Sequence, residues 1–179
     1  MSRCFIGRLL PEEIKTSIIK LQDDIKKWPL VCKMVERENL HTNFSFLGEI
    51  DENQIKEISG KIDLIGKKFK GFEVEIGGLR AIPNEHYIRV LALDVIESAG
   101  VLKALFDEIE REVGGDSKPA HITLCRVKNI QDKKDIMERV MVEANKKHGK
   151  FLLDSIQLIK SELAKSGPVY SVVHESKLL

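Results

Sequence analysis

Two histidines, His41 and His121, each head a short stretch with strand character, and each is followed two residues on by a small hydrogen-bonding side chain, Asn43 or Thr123. Alternate side chains of a strand share a face. In His41-Thr42-Asn43-Phe44-Ser45-Phe46-Leu47 this puts Thr42, Phe44 and Phe46 on one face and His41, Asn43 and Ser45 on the other. The phenylalanine face is expected to be core. In His121-Ile122-Thr123-Leu124, Ile122 and Leu124 take the core face, so His121 and Thr123 point away from it. Each strand thus offers an imidazole and a donor about 6–7 Å further along. Two such strands facing across a groove suit acid–base chemistry at a phosphodiester without a metal. One imidazole can give a proton while the other takes one. The Thr hydroxyl and Asn amide can donate to non-bridging phosphate oxygens as negative charge grows there. The residue types alone do not tell donor from acceptor.

The elements that must position these residues are legible from periodicity. Ile14, Ile18, Leu21 and Ile25 fall on one helical face after a Pro11-Glu12-Glu13 start; Ile55, Ile58, Ile62 and Ile65 repeat likewise after Asp51-Glu52. Leu102, Leu105, Ile109 and Val113 form a third stripe ending at Gly114-Gly115, and Ile136, Val140 and Ala144 a fourth, predicted over about Gln131 to Lys147. Between them, strands are expected at Phe44–Leu47, Phe72–Ile76, Ile88–Leu93, Ile122–Leu124 and Val169–Val173. Less regular candidates are Cys4–Ile6, Val31–Val35 and Phe151–Ile159. Most helices are separated by paired strands, which predicts an α+β fold of antiparallel sheets with helices outside. The 80-residue interval from His41 to His121 hints at two similar lobes. No Pro/Gly/Ser-rich linker divides residues 1–179, so one domain is expected.

Composition narrows the function classes. The 179 residues are 42% hydrophobic and 32% charged, which excludes disorder and low-complexity architectures. The 29 basic and 28 acidic residues leave a net charge of +1, unlike a protein that coats nucleic acid. No apolar run is long enough for a membrane span, and the Met1–Arg8 start predicts no secretory leader. Cys4, Cys32 and Cys125 are too few and too scattered for a disulfide frame or zinc knuckle, so reduced thiols in a cytoplasmic setting are expected. Walker, serine-esterase and zinc-protease signatures are missing. His86, His148 and His174 are expected at the surface.

The stretches Glu38-Asn-Leu-His-Thr-Asn-Phe-Ser-Phe-Leu-Gly-Glu49 and Pro119-Ala-His-Ile-Thr-Leu-Cys-Arg-Val-Lys128 resemble the two H-x-T/S-x boxes of the two-histidine phosphoesterases. Among these the chain is most similar to the LigT-type RNA 2′,3′-cyclic phosphodiesterases, also called 2′-5′ RNA ligases. The likeness continues at Phe5–Glu12, Gly71–Asn84 and the tail Ser161–Tyr170 with Ser166-Gly167-Pro168-Val169-Tyr170. The resemblance implies a bilobal, pseudo-symmetric α+β fold with both boxes facing a central cleft. It implies hydrolysis of RNA 2′,3′-cyclic phosphate ends to a 2′-phosphate, with neither metal nor nucleotide cofactor, and a reverse 2′-5′ ligation. On that pattern His41 is the proton donor to O3′, His121 the acceptor from water, and Asn43, Thr123 and Arg126 bind substrate; the reverse assignment of the two histidines stays open. Arg126 would need a bulge or a turn after Leu124 to reach the side of His121. The implied partners are RNA ends bearing the cyclic phosphate, transfer-RNA halves among them, met by a monomer without a membrane. The chain departs from the pattern at Asn43, where Thr or Ser is usual, at Ser45, and at Arg8-Leu9. An alternative is a catalytically weakened binding module for phosphorylated RNA ends or nucleotides.

Overall fold

In the computed structural model, which describes residues 1–165 and 167–179, all four apolar spacings fold as helices. Ser166 of the tail motif lies outside the described residues. The elements begin with β1 (Ser2–Leu9), α1 (Glu12–Ile25), β2 (Leu30–Met34), β3 (His41–Ile50), α2 (Glu52–Gly66) and β4 (Phe72–Pro83). They continue with β5 (Ile88–Ile96), α3 (Val101–Glu112), β6 (His121–Ile130), α4 (Lys133–Glu143), β7 (Gly149–Leu153), β8 (Ser155–Ala164) and β9 (Gly167–Lys177). Ile14, Ile18, Leu21 and Ile25 of α1 are all buried, as the spacing requires. At the start of α2 the Asp51 carboxylate accepts from the Gln54 N–H while the Gln54 side chain accepts from the Asp51 N–H, a reciprocal cap. α4 is shorter than its pattern. Asp132 caps it by accepting from the Asp135 N–H, and beyond its end the His148 N–H donates to the Ile76 carbonyl on β4 instead of continuing the helix. The run Phe151–Ile159 is divided at Asp154 into β7 and β8.

Strand pairing is antiparallel throughout, in the order β7-β4-β5-β6-β3-β1-β8-β9 with β2 on the free edge of β6. The two lobes of the expected α+β fold are β1-β3-β8-β9 and β2-β4-β5-β6-β7. They join at a single residue pair, Thr42 opposite Ile122, both fully buried. Two of the four helices, α1 and α3, cross from one lobe to the other. α2 lies on β8 and β9, and α3 on β3 and α2, while α1 crosses to β6 and β7 and α4 covers β4. Gln22 of α1 donates to the carbonyls of Val35 and Leu124, which ties that crossing down.

β3 does not keep the alternation expected of it. Against β1 it slips twice, leaving Phe44 and Leu47 without partners. Such bulges re-aim the side chains that follow. Phe44 stays in the core, edge-on to Phe106 at 5.2 Å, but Phe46 emerges 47% exposed with its ring 6.0 Å from Phe5. The expectation of a core Phe46 is therefore corrected. Ser45, expected beside His41, is instead buried and donates to the Gly114 carbonyl. Gly114 and Gly115 have φ of 81° and 96°, left-handed values that turn the chain from α3 toward β6. Gly115 packs so closely on Ser45 and Phe46 that a Cβ would collide with them.

Candidate active site

The Thr42–Ile122 pair sets the site. Extending its antiparallel register by one residue each way puts His41 opposite Thr123 and Asn43 opposite His121. All four side chains singled out by alternation therefore lie on one face of the lobe junction, while Thr42 and Ile122 fill the other. The imidazoles are anchored alike. His41 Nδ1 is 2.7 Å from the Asn39 carbonyl, and His121 Nδ1 is 2.7 Å from the Pro119 carbonyl. A carbonyl only accepts, so each Nδ1 carries the hydrogen and each Nε2 is left for a substrate. A neutral ring then presents a lone pair at Nε2, and a protonated ring presents N–H.

His41 sits in an aromatic frame, with Phe5 4.8 Å away and tilted and Tyr170 edge-on at 5.3 Å. Burial pushes its pKa down to about 4; the positive charges of His121 and Arg126 add to this, and the Asn39 carbonyl opposes it. His41 is thus neutral in the resting site near pH 7. Asn43 is only 4% exposed, and neither its amide nitrogen nor its amide oxygen has a hydrogen-bond partner. A buried amide left unpaired on both sides is costly, and its register places it on the face that would meet a ligand. Thr123 is half-buried, opposite Ala92 on β5.

Arg126 reaches the site through the bulge its placement demands. β6 slips against β5 so that Cys125 pairs Leu91 and Thr123 pairs Ala92, leaving Leu124 unpaired. The parity of β6 changes there, and the Arg126 charge acts on both His41 and Tyr170. It lines a small cavity of about 130 Å³ with Tyr170, Met34 and Asn39. A guanidinium in that place can bind an anionic oxygen with paired donors.

The structure brings together His41, Asn43, His121, Thr123 and Arg126. Tyr170, named in the tail motif, packs edge-on against His41, and the structure adds two residues that pattern reading missed: Phe5, which also frames His41, and Asp94, which lies opposite His121 on β5 and is ion-paired to Arg80 of β4. A carboxylate alone in the apolar run Val90–Ile96 was the available signal for Asp94. Arg8, the departure near the start of the chain, is held 3.0 Å from Asp154. His86 is exposed as expected. His148 is not: burial lowers its pKa, and its ring lies 3.9 Å from Glu143. His174 joins β9 to α2 through Asp63 at 2.8 Å. Among the described residues no three His, Cys, Asp or Glu side chains converge as a ligand set, and no helix is long and apolar enough to cross a membrane.

Two lobes that each present a carbonyl-anchored imidazole on one face of their junction define a two-histidine architecture. The family model described as LigT-like phosphoesterase matches residues 9–92. An RNA 2′,3′-cyclic phosphodiesterase of Methanocaldococcus jannaschii is 34% identical over 179 residues, covering 97% of this chain and 99% of the relative. The crystal structure of TT0787 of Thermus thermophilus superposes with a TM-score of 0.80 at 23% identity, covering 98% of this chain and 97% of that one. Apo LigT of E. coli superposes with a TM-score of 0.71 at 22% identity, over 99% and 97% of the two chains. The chain belongs to the LigT-like phosphoesterase family.

Proposed function

We propose that this protein hydrolyses RNA 2′,3′-cyclic phosphate ends to a 2′-phosphate, with His41 and His121 sharing the proton transfers. Water attacks phosphorus, the P–O3′ bond breaks, and O3′ leaves as a hydroxyl. One Nε2 takes a proton from the water and the other supplies one to O3′. Asn43, Thr123 and Arg126 hold the phosphate oxygens, where charge grows in the transition state. The chemistry asks for no metal, and with an RNA 5′-hydroxyl attacking phosphorus in place of water, O3′ again leaving as a hydroxyl, the same site joins ends through a 2′-5′ bond. Transfer-RNA halves are natural carriers of such ends, met by a single-domain monomer in the cytoplasm; three cysteines without a disulfide support that compartment. The observation that carries the reading is the matched anchoring of two imidazoles at the single pair joining the lobes.

On the family pattern His41 donates and His121 accepts. The neutral resting state of His41 favours the reverse order, because an acceptor must begin unprotonated. An arriving phosphate offsets the positive charges that depress His41 and so restores a donor role to it. A cyclic phosphate with sulfur in place of O3′ separates the two orders, since a thiolate leaves without a proton. The variant lacking the donor regains activity on that substrate; the variant lacking the acceptor does not.

The main test is turnover of a 2′,3′-cyclic-phosphate oligonucleotide by wild type, His41→Ala and His121→Ala in EDTA, with product isomers resolved. Wild type is expected to yield 2′-phosphate, and each variant to lose about 10²–10⁴-fold in rate. A 3′-phosphate product, or a variant as active as wild type, would overturn the reading.

A further inference from the structure

Two open cavities of about 600 Å³ flank the histidine strands, and their charges differ. One runs past Asp94 and is lined by Glu97, Asp107 and Glu110 as well as by cations. The other begins at Arg126 and runs along the outer ends of β5 and β6. Arg89, Lys128 and Lys133 line it with no carboxylate among its walls. In a chain with nearly equal numbers of acidic and basic residues this is unusual, because most cations elsewhere have a carboxylate within reach. Among the described residues none of these three, nor Arg126, is ion-paired. Arg89 donates to the Tyr87 hydroxyl at 2.9 Å and lies over its ring at 4.9 Å, while Lys133 donates to the His86 carbonyl at 2.7 Å. Tyr87 itself is 57% exposed. Unpaired cations converging beside an open aromatic ring are a recognition surface for single-stranded nucleic acid.

We infer that this groove is a strand-binding subsite that takes the RNA nucleotides upstream of the terminal cyclic phosphate. Backbone phosphates meet Arg89, Lys128 and Lys133, and an upstream base stacks on Tyr87. The inference rests on the RNA-end reading above and adds a direction to it. The chain leaves the phosphate site past Arg126 because the opposite exit sets its cations against carboxylates, as in the Arg80–Asp94 and Lys103–Asp107 pairs, and offers a polyanion no net attraction. Only RNA longer than a mononucleotide can fill the groove, so it supplies affinity without touching the reacting atoms.

The test compares wild type with the triple variant Arg89→Gln, Lys128→Gln, Lys133→Gln on two substrates: a nucleoside 2′,3′-cyclic phosphate and an eight-nucleotide RNA with the same end. For the oligonucleotide, KM is expected to rise by at least about tenfold at unchanged kcat, and mononucleotide kcat/KM to stay within about twofold of wild type. The slope of log affinity against log salt should fall by about 2, the amount due to three lost phosphate contacts on a single strand. Equal loss on both substrates, or no loss on the oligonucleotide, would refute the subsite. If wild type opens neither substrate, the hydrolysis reading fails, and the groove is judged separately by fluorescence anisotropy of an oligonucleotide ending in a 2′-phosphate. There a tenfold weakening in the triple variant supports the subsite and unchanged binding overturns it.

Discussion

His41 should cost the fold stability in mild acid, by an amount that can be worked out in advance. Its pKa is pushed from the usual 6.5 to about 4, chiefly by burial between Phe5 and Tyr170. Moving the midpoint from 6.5 to about 4, at about 1.4 kcal/mol per pH unit, sets a ceiling of about 3.5 kcal/mol. The sign follows from which state binds the proton first. The unfolded chain protonates this ring near pH 6.5 and the folded chain only near 4, so the contribution is complete above pH 6.5 and drains away between 6.5 and 4. Urea unfolding of wild type and His41→Gln at pH 7 and pH 4.5 isolates it. Other titrating groups, including half-buried His148, act equally in both proteins, so the difference between their losses belongs to His41. Wild type is expected to lose about 2 kcal/mol more than the variant. A side-chain NMR titration should place the His41 midpoint near 4, and inorganic phosphate should raise it by supplying negative charge. A midpoint at about 6 or above, or equal stability losses in the two proteins, would refute the burial argument.

Three further outcomes follow from side chains around the same junction. Thr42→Val removes a fully buried hydroxyl that has no partner and keeps its shape, so stability should rise by about 1 kcal/mol and the melting temperature by about 2–4 °C; a lower melting temperature would mean that Oγ1 is bonded after all. Asn43→Ala should cut kcat/KM by about 10–100-fold, the worth of a hydrogen bond to a charged group, while denaturant melts shift by less than about 1 kcal/mol. Gly7→Ala puts a Cβ 2.5 Å from the Thr42 carbonyl oxygen, a backbone atom that cannot swing aside. That variant should lose about 1–3 kcal/mol in thermal melts and lose turnover as β1 is forced off β3.

Helices were the most legible part of the fold, because buried Ile and Leu on a 3.6-residue period leave little ambiguity: the stripes of α1 and α3 were named residue by residue. Strand faces were legible only where the ladder is regular. Alternation placed His41, Asn43, His121 and Thr123 on one face, yet it misplaced Phe46 and Ser45, which lie beyond a bulge that no residue type announces. The same limitation worked in the other direction at Arg126, where the need for a bulge or a turn could be stated from parity and is met by the slip at Leu124. Tyr170 and Asp94 reach the site from strands distant in sequence, and only tertiary pairing brings them there. The shared Nδ1 anchoring could not be foreseen at all, since it depends on the carbonyls of Asn39 and Pro119 and not on their side chains.

The crossing of α1 onto β6 and β7, and of α3 onto β3, has a mechanical consequence. Each lobe takes one of its covering helices from the other lobe's stretch of chain, so neither can swing away as a rigid flap around the Thr42–Ile122 ladder pair without tearing apolar helix faces from their seats. The gap between the imidazoles is consequently held by the same packing that makes the molecule a solid, and warming should not loosen it gradually. Activity and helical signal are expected to vanish together.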